Sequence, residues 1–424
     1  MLVLGIVCFF IPANFVVLNS WVQGISQFTL IAGIALGSFL AIRSGSRAAH
    51  AVLFLVVFLM ISGSIVSADP LGTVSTLGPA IVGLGTAISI RGKWLASVLI
   101  LFGVSTVGLV IDSFLGSNLI SIFGAQSLEV TAGSSERARG FIGQPVPAAA
   151  LSAFLFVTGL ALSRDARVEK RRHLIQFALI ILAGTSLFLT GTRSALLLIG
   201  CGLILLALAS PLPKKIGVGA VFAGIGIASI GIVGTIFLLP RLESSRLFAF
   251  DELTGSASLD NRLYSTEILS LWAGRCDALC ATFGSGPRSL QSDLQSVYGI
   301  LGLSTIDNIW VTLLWDFGIS AIAICAILLI WAFHSLISNR SRTARMAGAA
   351  GVLTMLASGF IFDAFYVRPI LITLGFLVGM LIWGEAGRAR VDEMEPPSMQ
   401  RSSLRKRFSG ELLPSESRHS PYGS

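Results

Sequence analysis

Charge is scarce in this sequence: Asp, Glu, Lys and Arg make up 12% of its 424 residues, about half the share of an ordinary soluble domain. With hydrophobic residues at 54% and a mean hydropathy of +0.83, that shortage excludes a soluble globular protein and implies a polytopic membrane protein. Histidine is nearly missing too. His50, His173, His334 and His419 fall at span ends on one side or in the C-terminal tail, so none is placed to act as a base on the other side. Cysteine is sparse and scattered. Cys8, Cys201 and Cys325 sit in apolar runs and read as small buried hydrophobes. Cys276 and Cys280 have the spacing of a local disulfide in an oxidising compartment, and no further Cys or His lies near enough to complete a zinc site.

Apolar runs are what the chain has in quantity. A span needs about 20 apolar residues, and twelve segments qualify: 2 to 19, 25 to 42, 48 to 66, 72 to 90, 94 to 113, 146 to 162, 174 to 190, 194 to 210, 216 to 239, 308 to 333, 346 to 364 and 369 to 384. The first has no basic region before it and no small-residue cleavage site after it, so it reads as a span and not a removable signal. The expected fold is all-α and polytopic. Lys and Arg in short loops favour the cytoplasmic side. With twelve spans, the loops holding Arg43 and Arg47, Arg91 and Lys93, "SRDARVEKRRH" (163 to 173), Lys214 and Lys215, and "NRSRTAR" (339 to 345) share one side. The tail with "LRKR" (404 to 407) joins them, which makes both termini cytoplasmic. All five lysines, Lys93, Lys170, Lys214, Lys215 and Lys406, fall on that side. The net charge of +8 is then a topogenic and lipid-headgroup charge, with no case for nucleic acid. Residues 385 to 424, rich in Ser, Pro, Arg and Glu without apolar periodicity, are expected to form a disordered cytoplasmic tail after a transmembrane domain of residues 1 to 384.

The opposite face carries two segments longer than ordinary connections, 114 to 145 and about 240 to 307. Its basic residues are all arginine: Arg137, Arg139, Arg193, Arg241, Arg246, Arg262, Arg275, Arg288 and Arg368. Guanidinium is a planar fork that matches phosphate oxygens with two parallel hydrogen bonds. The plainer alternative is local pairing with the loop's own acids, as "RLESSR" (241 to 246) suggests at helical spacing. Arg193, in "TGTRSALLLIG" (190 to 200), has no acid nearby in sequence. The two spans around it total about 36 residues where two spans want about 40. Its turn is therefore expected slightly below the membrane surface, with Arg193 either snorkelling to headgroups or facing a protein-lined cavity that receives an anionic lipid.

Four motifs in order resemble the O-antigen ligase and polymerase family of bacterial envelope assembly. "TGTRSALLL" is similar to the family's Ser-Arg or Thr-Arg dipeptide that opens a helix after a short extracytoplasmic turn. "NRLYSTEILSLW" (261 to 272) followed by "FGSGPRSL" (283 to 290) resembles its late loop, with an Arg before an aromatic-containing helix and then a Gly-rich turn. "IDNIWVTLLWDFGISAI" (306 to 322) is similar to its re-entry through an Asp-Asn pair, and "RARGFIGQPVPAAA" (137 to 150) to its arginine, glycine, then proline approach to a span. The resemblance covers roughly residues 130 to 385; the first five spans are generic. It implies a GT-C-like, metal-independent, inverting-type glycosyltransferase without a cofactor. The substrate would be an undecaprenyl-pyrophosphate-linked glycan, transferred to an acceptor glycan or lipid on the extracytoplasmic face of the bacterial plasma membrane, with a chain-length regulator as a further partner.

A departing pyrophosphate needs fixed cations aimed at its oxygens. Arg193 and Arg262 are carried from the two family arginines; Arg139 and Arg288 come second as substrate-binding groups. Asp307 stands where ligases place histidine and is the candidate base, with Asn308 holding the acceptor or orienting that carboxylate. The rival for Asp307 is a helix N-cap, since "D-N-x-x" before an apolar run is a capping pattern. The Asp form also favours polymerase over ligase, by family analogy alone. "DFG" (316 to 318) has no kinase context and reads as a kink or a glycine-relieved packing point; "GSGPR" (284 to 288) is too short for a nucleotide fingerprint. A secondary transporter or flippase is the alternative, and it should show midplane ionisable groups and repeat symmetry, neither of which is visible. A non-catalytic scaffold in envelope assembly is the third class, and it would tolerate replacement of Arg193 and Asp307.

Overall fold

Inside a bilayer every backbone N–H and C=O must be satisfied within the chain, so apolar runs of this length become helices. The computed structural model describes residues 1–10, 16–17, 20–67, 70–116, 119, 126–127, 137–209, 268–290, 292–293, 308–338, 343–360 and 366–384. Its helices are α1 (Leu2–Phe10), α2 (Ser20–Arg43), α3 (Arg47–Ser67), α4 (Pro70–Ser89), α5 (Trp94–Phe114), α6 (Pro145–Leu162), α7 (Arg172–Thr190), α8 (Arg193–Ala209), α9 (Ala278–Phe283), α10 (Ile309–Ser338), α11 (Thr343–Ser358) and α12 (Arg368–Trp383). Residues 268–275 are helical as well. The only strand pairing among the described residues is a two-residue antiparallel contact, Val16 with Ser127 and Val17 with Gln126.

Seven of the described helices, α2 to α7 and α10, are long and apolar enough to cross a membrane, and α8 and α12 are apolar but shorter. The chain is a multi-pass α-helical membrane protein. The expected spans at 48 to 66, 94 to 113, 146 to 162 and 194 to 210 coincide with α3, α5, α6 and α8 to within a residue or two. The expected span 216 to 239 and the tail from 385 lie outside the described residues. Start signals are visible in the chain. Pro stands in the first or second position of α6 and α12, where its missing N–H costs nothing. Intramembrane hydroxyls bond back to the carbonyl one turn earlier, as Thr29 does to Ile25 (2.6 Å), Thr86 to Val82 (2.8 Å) and Thr354 to Ala350 (2.8 Å).

α4, α6, α11 and α12 form the buried centre, while α3 and α7 turn large side chains such as Phe54, Ile65 and Phe177 outward. α4 and α12 meet at backbone distance. A Cβ at Gly83 would overlap the Ile372 carbonyl oxygen, and one at Gly375 would overlap that of Ala80. Small residues of this kind let helices pack where lipid supplies no hydrophobic drive.

The helix ends sort the basic residues. At one end, Arg345 Nε donates to Leu381 O (2.9 Å), Arg164 Nη1 to Leu206 O (3.2 Å), and the Arg91 guanidinium lies 4.6 Å over the Trp383 ring. Arg43, Arg47, Lys93, Lys170, Arg171 and Arg172 flank helices at that end. At the other end, where 137–144 and 268–290 lie, the basic residues among those described are all arginines.

Candidate functional site at the arginine end

Two buried aspartates, 0% exposed each, organise this end. The first is Asp112 in the last turn of α5. Its Oδ1 accepts from the Leu119 N–H (2.8 Å), and its Oδ2 accepts from the N–H groups of Arg139 (2.5 Å) and Gly140 (3.0 Å). A carboxylate receiving several backbone donors is a strong, charge-assisted anchor. It folds the stretch before α6 back onto α5, through a tight turn at Gly140–Ile142. Arg139, 7% exposed, lines a narrow cleft with Phe9, Phe10, Ser105, Leu109 and Phe141. The Phe10 and Phe141 rings meet edge to face at 5.1 Å. The Ser105 hydroxyl is buried there without a partner among the described residues.

Arg137, two residues earlier, is a clamp. Its Nε donates to Thr190 O (2.7 Å) and its Nη2 to Thr192 Oγ1 (2.7 Å), while Ala138 N donates to Leu189 O (3.0 Å). The "TGTRS" turn between α7 and α8 is therefore gripped from outside its own hairpin. Arg193 is the first residue of α8 and is half-buried.

The second aspartate is Asp316, in the first half of α10. Oδ1 accepts from Ser289 Oγ (2.8 Å) and Leu290 N (2.9 Å), and Oδ2 from Arg288 N (2.8 Å). The carbonyls of Trp315 and Asp316 accept from Ser285 N (2.8 Å) and Gly286 N (3.0 Å). This requires the helix to break, and Gly318 breaks it at φ 69°, ψ −167°. A side chain at Gly318 would also strike the Thr282 carbonyl, at 2.5 Å. "DFG" is accordingly a clasp: Asp316 receives the loop, Phe317 is core at 1% exposure, and Gly318 supplies the conformation that L residues disfavour.

The clasp holds Arg288 at φ 63°, the one non-glycine positive φ among the described residues. Strained backbone persists only where surrounding bonds over-determine it. The Arg288 N–H is shared between Asp316 and the Tyr366 hydroxyl (2.8 Å), and its guanidinium stands 5.7 Å over the Tyr366 ring. Two residues beyond Tyr366 is Arg368, 3% exposed. The end of α1 lies between the two groups, with Cys8 beside Arg368 and Phe9 and Phe10 along Arg139.

Of the residues selected from sequence, Arg139, Arg193, Arg288 and Asn308 all lie at this end, whereas Arg262 and Asp307 lie outside the described residues. The N-cap of α10 is made by Asn308, whose Oδ1 accepts from Trp310 N (3.0 Å) and Val311 N (3.4 Å). Cys276, just before α9, and Cys280, within it, are joined as a disulfide, and Asp277 caps the helix by accepting from Cys280 N (2.8 Å). Sequence reasoning assigned no role to Asp112, Asp316, Tyr366 or Arg368. Asp112 and Asp316 carried a faint signal, as acids at the ends of apolar spans. Among the described residues no cluster of His, Cys, Asp and Glu is arranged to hold a metal ion. The chain matches no family model and no curated protein.

Proposed function

We propose that this protein is a membrane glycosyltransferase of the O-antigen ligase and polymerase type, acting as a polysaccharide polymerase on an undecaprenyl-pyrophosphate-linked glycan. In this reading the chain has twelve spans in a GT-C-like arrangement in a bacterial plasma membrane, with both termini cytoplasmic. The arginine end faces outward. The observation that carries the reading is that Arg139 and Arg288 have their backbone N–H groups fixed on buried carboxylates, Asp112 and Asp316, at the end that has arginine as its basic residue. Such anchoring fixes where the two arginine side chains leave the backbone, which supports their receiving a leaving group of growing negative charge. The Cys276–Cys280 disulfide supports an oxidising location for the late loop.

The reaction forms a bond from the acceptor hydroxyl to the anomeric carbon as the bond from that carbon to the pyrophosphate oxygen breaks. The leaving diphosphate is received by Arg193 and Arg262, with Arg139 and Arg288 binding substrate. Asp307 accepts the hydroxyl proton, and Asn308, which starts α10 beside it, positions the acceptor.

Arg193→Ala is expected to lower glycan extension by roughly a hundredfold, the scale of losing one fixed charge donor, with normal protein level in the membrane. Long chains on a glycan gel of that strain would refute the reading. In a strain lacking the protein, single units still capped onto the acceptor support a polymerase, and accumulated lipid-linked long chains point to a ligase. Reporter fusions within 240 to 307 should report the outside; a cytosolic signal removes the proposed pocket.

A further inference from the structure

We infer that Arg368 and Ser26 form a recessed subsite that grips the phosphate of a polyprenyl-linked lipid, deeper in the bundle than Arg139 and Arg288. The inference rests on the lipid-linked substrate proposed above for the identity of the anion. Its physical basis is separate. Arg368 is 3% exposed at the start of α12, and its Nη1 donates to Ser26 Oγ (2.5 Å). Ser26, itself 2% exposed, is the seventh residue of α2, which places the pair about 9 Å inside that helix's end at the usual rise per residue. Nε of Arg368 is buried and has no hydrogen-bond partner among the described residues. Ser26 therefore engages one terminal nitrogen and leaves the side-on edge, where Nε is one prong of the bidentate fork, turned to nothing that the described residues provide.

The electrostatics point the same way. No carboxylate among the described residues pairs with Arg368; of its neighbours, Cys8 favours the charged form and Arg288, a like charge, opposes it. A buried, half-satisfied guanidinium beside a like charge is unfavourable until an anion arrives. Cys8, at 1% exposure, puts apolar surface beside Arg368, which suits a phosphate that enters on a hydrocarbon chain. Ionisable residues within the membrane commonly mark ligand paths.

The sign of a stability change separates this role from a structural one. The full chain purified in detergent is titrated with a polyprenyl monophosphate, with the polyprenol of equal length, and with inorganic phosphate, following thermal melting. Arg368→Met is expected to raise the melting temperature of the empty protein, because it removes an uncompensated buried charge, and to weaken polyprenyl monophosphate binding by roughly ten- to a hundredfold. Arg368→Lys keeps the charge, loses the fork and should fall between. A lowered melting temperature in Arg368→Met, or wild-type affinity in either variant, overturns the inference while the substrate reading stands. Wild-type protein that binds polyprenol as tightly as the phosphate sinks the substrate reading itself. Inorganic phosphate that protects as well as the lipid keeps an anion site and overturns its lipid source.

Discussion

Gly83→Ala is expected to destabilise the bundle by about 3 kcal/mol or more, the upper range of overpacking effects, whereas Gly103→Ala is expected to be neutral or slightly stabilising. Both are helix-interior glycines in apolar surroundings, so propensity alone favours alanine at each by roughly 0.5–1 kcal/mol. Contact decides the sign. At Gly103 of α5 an added Cβ meets nothing within 4 Å. At Gly83 of α4 it overlaps the Ile372 carbonyl oxygen and stands 2.8 Å from both Ile372 C and Phe376 N, all of them backbone atoms that no rotamer change can move. The reciprocal contact, Gly375 against Ala80, lies on the same seam. The helices would have to part by about an ångström, and close-packed interiors transmit such a shift along the whole element. Because α12 begins at Arg368, just after Tyr366, parting the seam also displaces the recessed guanidinium and the hydroxyl that holds Arg288. Melting followed by fluorescence-detected size exclusion would compare the two variants directly. Equal melting temperatures would mean that α4 and α12 do not meet at backbone distance. A Gly83→Ala/Gly375→Ala double variant should cost less than the sum of its parts, since one separation relieves both overlaps.

Span positions were legible because they depend on composition within about 20 residues, and α3, α5, α6 and α8 follow the apolar windows closely. The first window, 2 to 19, was read as one span, yet Val16 and Val17, inside that window, are extended and pair with Ser127 and Gln126. Glycine-relieved packing was legible in kind, and at "DFG" also in place: Gly318 breaks α10 where the motif suggested a kink. What sequence concealed was every role made by distant partners. Asp112 and Asp316 read as acids near span ends, but their work is to receive N–H groups 27 and 28 residues away. Arg368 read as one arginine among nine on its face; its burial and its bond to Ser26 join segments 342 residues apart. The cap was the rival reading of Asp307, which lies outside the described residues; the capping bond that is described comes from Asn308, one position later. The resemblance guided attention to Arg139 and Arg288, yet a motif states which residue recurs and not what fixes it. The carboxylates beneath those two arginines became visible only with tertiary contacts.

Asp316→Ala is expected to unfasten residues 285–290 and abolish the positioning of Arg288, with a loss of about 3 kcal/mol or more of local stability. The carboxylate is fully buried and accepts three bonds from that loop, from Arg288 N, Ser289 Oγ and Leu290 N. Removing it leaves donors facing an apolar void, and each buried unsatisfied donor costs about 1–3 kcal/mol. Nor can the loop keep its shape at lower cost, because Arg288 holds a positive φ that a non-glycine residue leaves when its restraints go. Asp316→Asn is the sharper probe. It preserves volume but turns an amide N–H₂ toward N–H groups, so most of the loss should persist. Asp293→Asn provides the contrast within the same loop, since Asp293 is half-buried and receives Trp315 Nε1 at 3.2 Å; its effect should stay under about 1 kcal/mol. Hydrogen exchange at the amides of Ser285 to Leu290 reads the clasp without reference to activity. Unchanged protection in Asp316→Asn would show that the backbone bonds to Trp315 and Asp316 suffice to hold the loop. If presenting Arg288 is the purpose of the clasp, glycan extension in Asp316→Asn should fall as far as in Arg288→Ala, and the double variant should fall no further. Additive losses would separate the loop's stability from the arginine's role.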